Sequence, residues 1–249
     1  MSAPARVGVL VFPGSLDDRD LARGLALCGA DVQMIWHKDA RLPELDGIGV
    51  PGGFSYGDYL RCGAMARFSP VMRALLEFAM SGRPVLGICN GFQILCEARL
   101  LPGALVRNAE LRYVCQDVRI AVDDPGQMRS ELAPGRELVM PVKHGEGAYI
   151  PDPEHKPRVA FRYVGCNPNG STDDIAGVVN DAGNALGLMP HPEHAVDPLL
   201  GSTDGARLLR TIAQSDLDKI VAEFEAEFTE GAGLLDSADR MDTILTETL

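Results

Sequence analysis

Apolar residues in the first hundred positions come in two alternating rhythms. Short unbroken runs at 7–12, 31–35, 47–50 and 85–88 are bounded by Pro, Gly or Asp and predict buried strands. Between them the spacing lengthens to that of one helical face: Leu21, Leu25 and Cys28 within 17–28, Phe68, Met72, Leu75, Leu76 and Ala79 within 65–80, and then 92–98. Strands that are apolar on both faces and alternate with helices predict an α/β domain with a mostly parallel central sheet flanked by helices. Beyond residue 115 the pattern becomes β-rich, with strands expected at 116–122, 137–142, 159–163, 175–180 and 185–189. A helix is expected at 215–228, with Ile220, Phe224 and Phe228 on one side, and the chain from 231 onward is weakly patterned. The organisation expected is therefore one domain over 1–214 and an acidic helical or flexible tail over 215–249.

Composition narrows the function classes. The 249 residues are 46% hydrophobic and 23% charged, as in ordinary globular proteins. No leader or membrane-length apolar segment is evident, so a cytoplasmic location is expected, with no membrane partner. Net charge is −12, and ten acidic against two basic residues from Thr211 onward concentrate it in the tail. An acidic surface argues against nucleic-acid binding, which needs a basic footprint. Six cysteines (28, 62, 89, 96, 115 and 166) show no CxxC spacing and read as reduced thiols, with 28, 96 and 115 expected in the core. His37, His155 and His194 lack metal-ligand spacing, so no metal is expected. There is no P-loop or other nucleotide motif.

The chemistry concentrates at Gly87-Ile88-Cys89-Asn90-Gly91, where an apolar strand meets a helix. Flanking glycines permit the sharp strand-turn-helix reversal that exposes a nucleophile, and a helix N-terminus favours the thiolate, the reactive form. A thiol nucleophile needs a base, and the base an orienting partner. His191 and Glu193 follow the predicted strand at 185–189. In extended geometry, residues two apart share a side, so Glu193 can hold one ring nitrogen of His191 and leave the other for sulfur. The amide of Asn90 and the turn at Gly52-Gly53 are candidate donors to an oxyanion.

Gly87-x-Cys89-x-Gly91-x-Gln93 with a later His191-x-Glu193 resembles the class I (triad) glutamine amidotransferase family. Further motifs, 12–15, 51–58, 144–147, 167–171 and 201–205, occur in order and resemble those of glutaminase subunits of phosphoribosylformylglycinamidine synthases. The resemblance covers roughly residues 6 to 210. It implies a flavodoxin-like fold, glutamine as substrate, Cys89, His191 and Glu193 as the catalytic triad, oxyanion amides at Gly53 and Asn90, and contact of Gln93 with glutamine. It also implies a synthetase subunit and a small accessory subunit as partners. No cofactor is expected in this subunit, ATP and Mg being used by the synthetase. Two positions depart from the family pattern: Leu16-Asp17 replaces an Asn-Cys pair, and His194 stands where arginine is usual. The competing readings are a glutaminase for another synthetase, such as carbamoyl-phosphate or anthranilate synthase, and a non-catalytic scaffold subunit.

Overall fold

A computed structural model describes residues 3–129 and 131–213. In chain order the elements are β1 (Arg6–Val11), α1 (Asp18–Leu27), β2 (Asp31–Trp36), β3 (Gly47–Val50), α2 (Val71–Met80), β4 (Val85–Ile88), α3 (Asn90–Glu97), β5 (Ala104–Val106), β6 (Val114–Val122), β7 (Glu137–His144), β8 (Ala148–Ile150), β9 (Arg158–Val164), β10 (Ile175–Val179), β11 (Ala185–Leu188) and α4 (Asp204–Ala213). Nine strands form one sheet in the order β2-β1-β3-β4-β11-β10-β9-β6-β7, and β5 and β8 form a separate antiparallel pair. The first five strands of that order pair in parallel, and the remaining four pair antiparallel. The alternating strand-helix segment and the β-rich segment beyond residue 115 thus supply most of the parallel and antiparallel halves of a mixed sheet.

Burial explains the division. Every residue of β3, β4, β10 and β11 is buried, as central strands covered on both faces require. In β6 the even positions Val118, Ile120 and Val122 face inward, whereas Cys115 at an odd position is exposed. The expectation that Cys115 lies in the core fails for this reason: a two-residue period places it on the outer face. Cys96 is buried, and Cys28 is half-buried.

Two helices differ from expectation. The apolar stripe at 65–80 is not one helix: Ser69, which precedes Pro70, is extended, and α2 begins only at Val71. A residue before proline is pushed out of the α region, so Phe68 loses the helical face and becomes exposed. The second, α4, carries no helix prediction, yet its buried Leu208, Leu209 and Ile212 belong to the core. Its Asp204 accepts a hydrogen bond from the β7 backbone at Val139 (2.9 Å), and Ser202 donates to the Val139 carbonyl (2.9 Å). The helix expected at 215–228 lies outside the described residues. No described helix is long and apolar enough to cross a membrane.

The loops that carry the motifs meet at the carboxyl ends of β1, β3, β4 and β11, where open α/β sheets bind ligands. Close packing there leaves no space for some side chains. A Cβ at Gly91 would collide with the Val50 carbonyl oxygen, and one at Gly87 would lie 2.9 Å from the Gly91 backbone. Gly91→Ala is therefore expected to lower stability by about 1–3 kcal/mol, the cost of overpacking a rigid site. An unchanged urea midpoint would contradict the contact between α3 and β3.

Candidate active site

Cys89 sits between β4 and α3 with φ 50° and ψ −105°. A non-glycine residue reaches this region only under constraint. The constraint is double: the Cys89 N–H extends the β4 ladder to the Leu188 carbonyl (2.8 Å), and its carbonyl accepts the Gln93 N–H as the first bond of α3 (3.1 Å). Strand and helix both claim the residue, so the chain must reverse within it. The Cys89 Sγ lies 4.0 Å from the Lys143 carbonyl oxygen at the end of β7.

His191 follows β11 and is fixed by its own N–H, which donates to the Pro141 carbonyl of β7 (2.8 Å). Its ring is fully buried, and Nδ1 lies 2.6 Å from Glu193 Oε1, also buried. The expected pair is present, but extended geometry does not make it. Residues Pro192–His194 form a short 3-10 turn, and this turn, started by Pro192, carries the carboxylate back to the ring. A carboxylate on Nδ1 makes that nitrogen the donor and leaves Nε2 for chemistry. Nε2 has no aligned hydrogen-bond partner and shares the cavity with the Cys89 thiol. Burial opposes charge on His191, but Glu193 and the nearby Cys89 outweigh it and lift the imidazolium to about 10.

The other expected residues divide by role. Asn90 is the first residue of α3, so its N–H has no intrahelical acceptor and points from the helix start. Its side chain is committed elsewhere, accepting from the Ser55 N–H (3.1 Å) and donating to Gln93 Oε1 (2.9 Å). Gln93 in turn donates to the Glu146 carbonyl (2.6 Å), so its amide braces the cavity wall. Gly53, at φ 144°, lines the cavity, and its N–H donates to no backbone acceptor among the described residues. Gly52 lies behind. Its carbonyl accepts from Leu16 and Asp17 (both 3.2 Å), and a Cβ there would collide with the Asp17 carboxylate and lie 2.8 Å from the His191 ring.

Sequence reasoning did not anticipate Asp17, Lys143 and His194 as part of the site. The Asp17 carboxylate is buried, with Oδ1 2.5 Å from Lys143 Nζ and 3.3 Å from His194 Nε2, and Oδ2 3.7 Å from His191 Nδ1. Burial works against this carboxylate, but the His194 hydrogen bond, the His191 charge and Lys143 together hold it well below the usual carboxylate range. The two departures from the family pattern, Asp17 and His194, therefore touch. Asp17, His191, Glu193 and His194 bring ligand atoms within 4.8 Å of one another, a set a cation could use. Lys143 already supplies a positive charge to Asp17, and the His191 ring to Glu193, so the group is explained as a charge network.

The cavity beside the triad has a volume of about 340 Å³ and is also lined by Asp58, Cys62, Tyr113 and Glu146. Cys62 donates to Glu146 (3.2 Å), and burial together with Asp58 and Glu146 pushes its thiol pKa up, so it stays neutral there. Burial, followed by the neighbouring Glu146, raises Asp58. His144, from the same motif as Glu146, has Nε2 accepting from Asn169 (3.0 Å), which leaves the proton on Nδ1. Its burial lowers it to about 4, so it is neutral near pH 7. A larger cavity of about 620 Å³ lies against the other end of α3, where Arg61 and Glu97 pair across it; it holds no triad residue.

Comparison with known proteins supplies the family. Residues 4–207 match the profile of the CobB/CobQ-like glutamine amidotransferase domain. The phosphoribosylformylglycinamidine synthase subunit PurQ of Frankia casuarinae is 53% identical over 218 residues, spanning 84% of this chain and 94% of that protein. Its counterpart in Rubrobacter xylanophilus is 54% identical over 216 residues, spanning 83% and 97%. Among solved structures, PurLQS from Thermotoga maritima contains a chain 39% identical, with a TM-score of 0.80 over 84% of this chain and 97% of that one. A buried Cys89–His191–Glu193 site, a profile spanning most of the chain and relatives above half identity agree: the chain belongs to the CobB/CobQ-like glutamine amidotransferases.

Proposed function

We propose that this chain is the glutaminase subunit of a phosphoribosylformylglycinamidine synthase, hydrolysing glutamine and handing ammonia to a synthetase subunit. The observation that carries the reading is the buried 2.6 Å bond from His191 to Glu193 beside a nucleophile-turn cysteine. The names of the curated relatives specify the complex. The match to a chain of solved PurLQS favours a multi-subunit complex, and this reading makes a synthetase and a small accessory subunit the partners. ATP and Mg belong to the synthetase in this reading, which places the complex in the cytoplasm.

In this reading each residue takes one step. The Cys89 thiolate attacks the carbonyl carbon of the glutamine side-chain amide, and the carbonyl π pair moves onto oxygen. The N–H groups of Asn90 and Gly53 stabilise that oxyanion, as fixed donors in a dry site do well. Collapse of the intermediate breaks the C–N bond, and the His191 imidazolium gives its proton to the departing nitrogen, releasing ammonia and leaving a glutamyl thioester. Neutral His191 then takes a proton from water, whose oxygen attacks the thioester. Glutamate leaves, and Cys89 and His191 return to their starting ionisation. Glu193 holds the ring throughout and balances its charge. Asp58 and Glu146, both in the cavity, suit the α-ammonium group of the substrate.

A glutaminase serving another synthetase is the second reading. The curated relatives favour the first, since each spans more than four-fifths of this chain under one name. Purification of the full chain with its synthetase decides between them: ammonia should be transferred to formylglycinamide ribonucleotide in the presence of ATP. Transfer to a different acceptor would overturn the assignment.

Two further outcomes test the mechanism. Cys89→Ala should abolish glutamine hydrolysis, whereas Glu193→Gln should cut kcat by about 10²–10⁴, because His191 loses the carboxylate that orients and charge-balances it; retained turnover in the Cys89 variant would sink the mechanism. His191 must carry a proton to release ammonia, and its imidazolium persists to about 10. The pH profile of kcat/KM for glutamine should therefore stay level through neutrality and fall only as pH rises past that value.

A further inference from the structure

The strongest unexplained feature is a second buried carboxylate on the triad histidine. His191 is faced by Cys89 from the start of α3, by Glu193 and His194 from its own turn, by Lys143 and His144 from β7, and by Asp17 from the loop before α1. Glu193 is the direct partner of Nδ1, at 2.6 Å. Asp17 approaches the same nitrogen to 3.7 Å without the alignment of a hydrogen bond. Its other oxygen is held by Lys143 at 2.5 Å and by His194 at 3.3 Å.

We propose that Asp17 is a positioning residue for catalysis: clamped by Lys143 and His194, it supplies a second carboxylate charge that helps keep the His191 ring protonated and turned toward Cys89. The proposal deepens the glutaminase reading and rests on it for its catalytic meaning. With Asp17, Glu193 and the Cys89 thiolate negative, and Lys143 and the His191 ring positive, negative charge exceeds positive by one. Removing the His191 proton raises that excess to two in a buried site, so the network resists losing the proton that ammonia release requires. A charge within about 4–6 Å of a group commonly shifts its titration by about 1–3 units, in the direction of the opposite charge. Gly52 is the opening that permits the arrangement, because its missing side chain is the space in which the Asp17 carboxylate and the His191 ring approach each other.

The test is a titration of the His191 ring by ¹⁵N NMR in the full chain, compared with the alkaline limb of kcat/KM in the complex. Asp17→Asn should lower the His191 midpoint by about 1–3 pH units, move the alkaline limb down with it, and reduce kcat more than it changes KM. Asp17→Glu, which keeps the charge, should restore most of the midpoint. Should the unpaired Lys143 ammonium prevent Asp17→Asn from folding, the double variant Asp17→Asn/Lys143→Met removes both charges and should shift the midpoint in the same direction. A folded variant lacking the Asp17 carboxylate whose His191 midpoint overlays that of the wild type overturns the proposal. The NMR arm needs no glutamine, so a chain that failed to hydrolyse glutamine would refute the functional reading and leave this result standing.

Discussion

The backbone of Cys89 is held at φ 50° and ψ −105°, which costs an ordinary residue on the order of 1–3 kcal/mol, and the packing around it leaves no alternative. The end of β4 and the start of α3 are pressed so tightly onto β3 that Gly87 and Gly91 have no space for a Cβ. The strand bond to Leu188 and the helix bond from Gln93 then pull on the same residue from both sides. Everything chemical depends on this reversal. It brings the sulfur to the cavity wall, leaves the Asn90 N–H free of an intrahelical acceptor, and places the start of a helix behind the thiol.

Around that turn the protein assembles charges that would be costly if unpaired. Glu193 and His191 are both out of contact with water, and Asp17 nearly so. A buried ionised group is tolerated only when partners replace its hydration. The network answers this by alternation: Lys143 and His194 lie against Asp17, and His191 lies against both carboxylates. Exposed ion pairs elsewhere, such as Arg73–Glu77, are of the solvated kind that contributes little.

Most of the strand positions, and the three residues proposed as the triad, were legible in the sequence because their signals are local. A buried parallel strand is a short apolar run wherever it occurs, and Gly-x-Cys-x-Gly is a turn whose glycines announce the crowding around them. What escaped depends on contacts made over distance. The pairing of Asp17 with Lys143 joins residues 126 positions apart, and nothing beside either residue signals the other. The departures at Asp17 and His194 were visible separately, but only the fold puts them in contact. The 3-10 turn at Pro192–His194 was misread as extended because a two-residue spacing fits either geometry. The split at Ser69-Pro70 was readable from the proline alone, and the apolar stripe concealed it. Helix α4 was lost because a short helix entered from a polar loop leaves a weak pattern beside the long acidic tail.

The tie between β7 and the last described helix sets an order on biosynthesis. β7 is the final strand of the sheet, yet its backbone accepts the His191 N–H at Pro141 and receives Asp204 and Ser202 at Val139. The nucleophile leaves the ribosome roughly a hundred residues before its base, and the base then meets its Pro141 acceptor on a strand already made. An unfinished chain thus carries a cysteine with no histidine to work with. The enzyme cannot release ammonia until translation has passed the point at which its own sheet is complete.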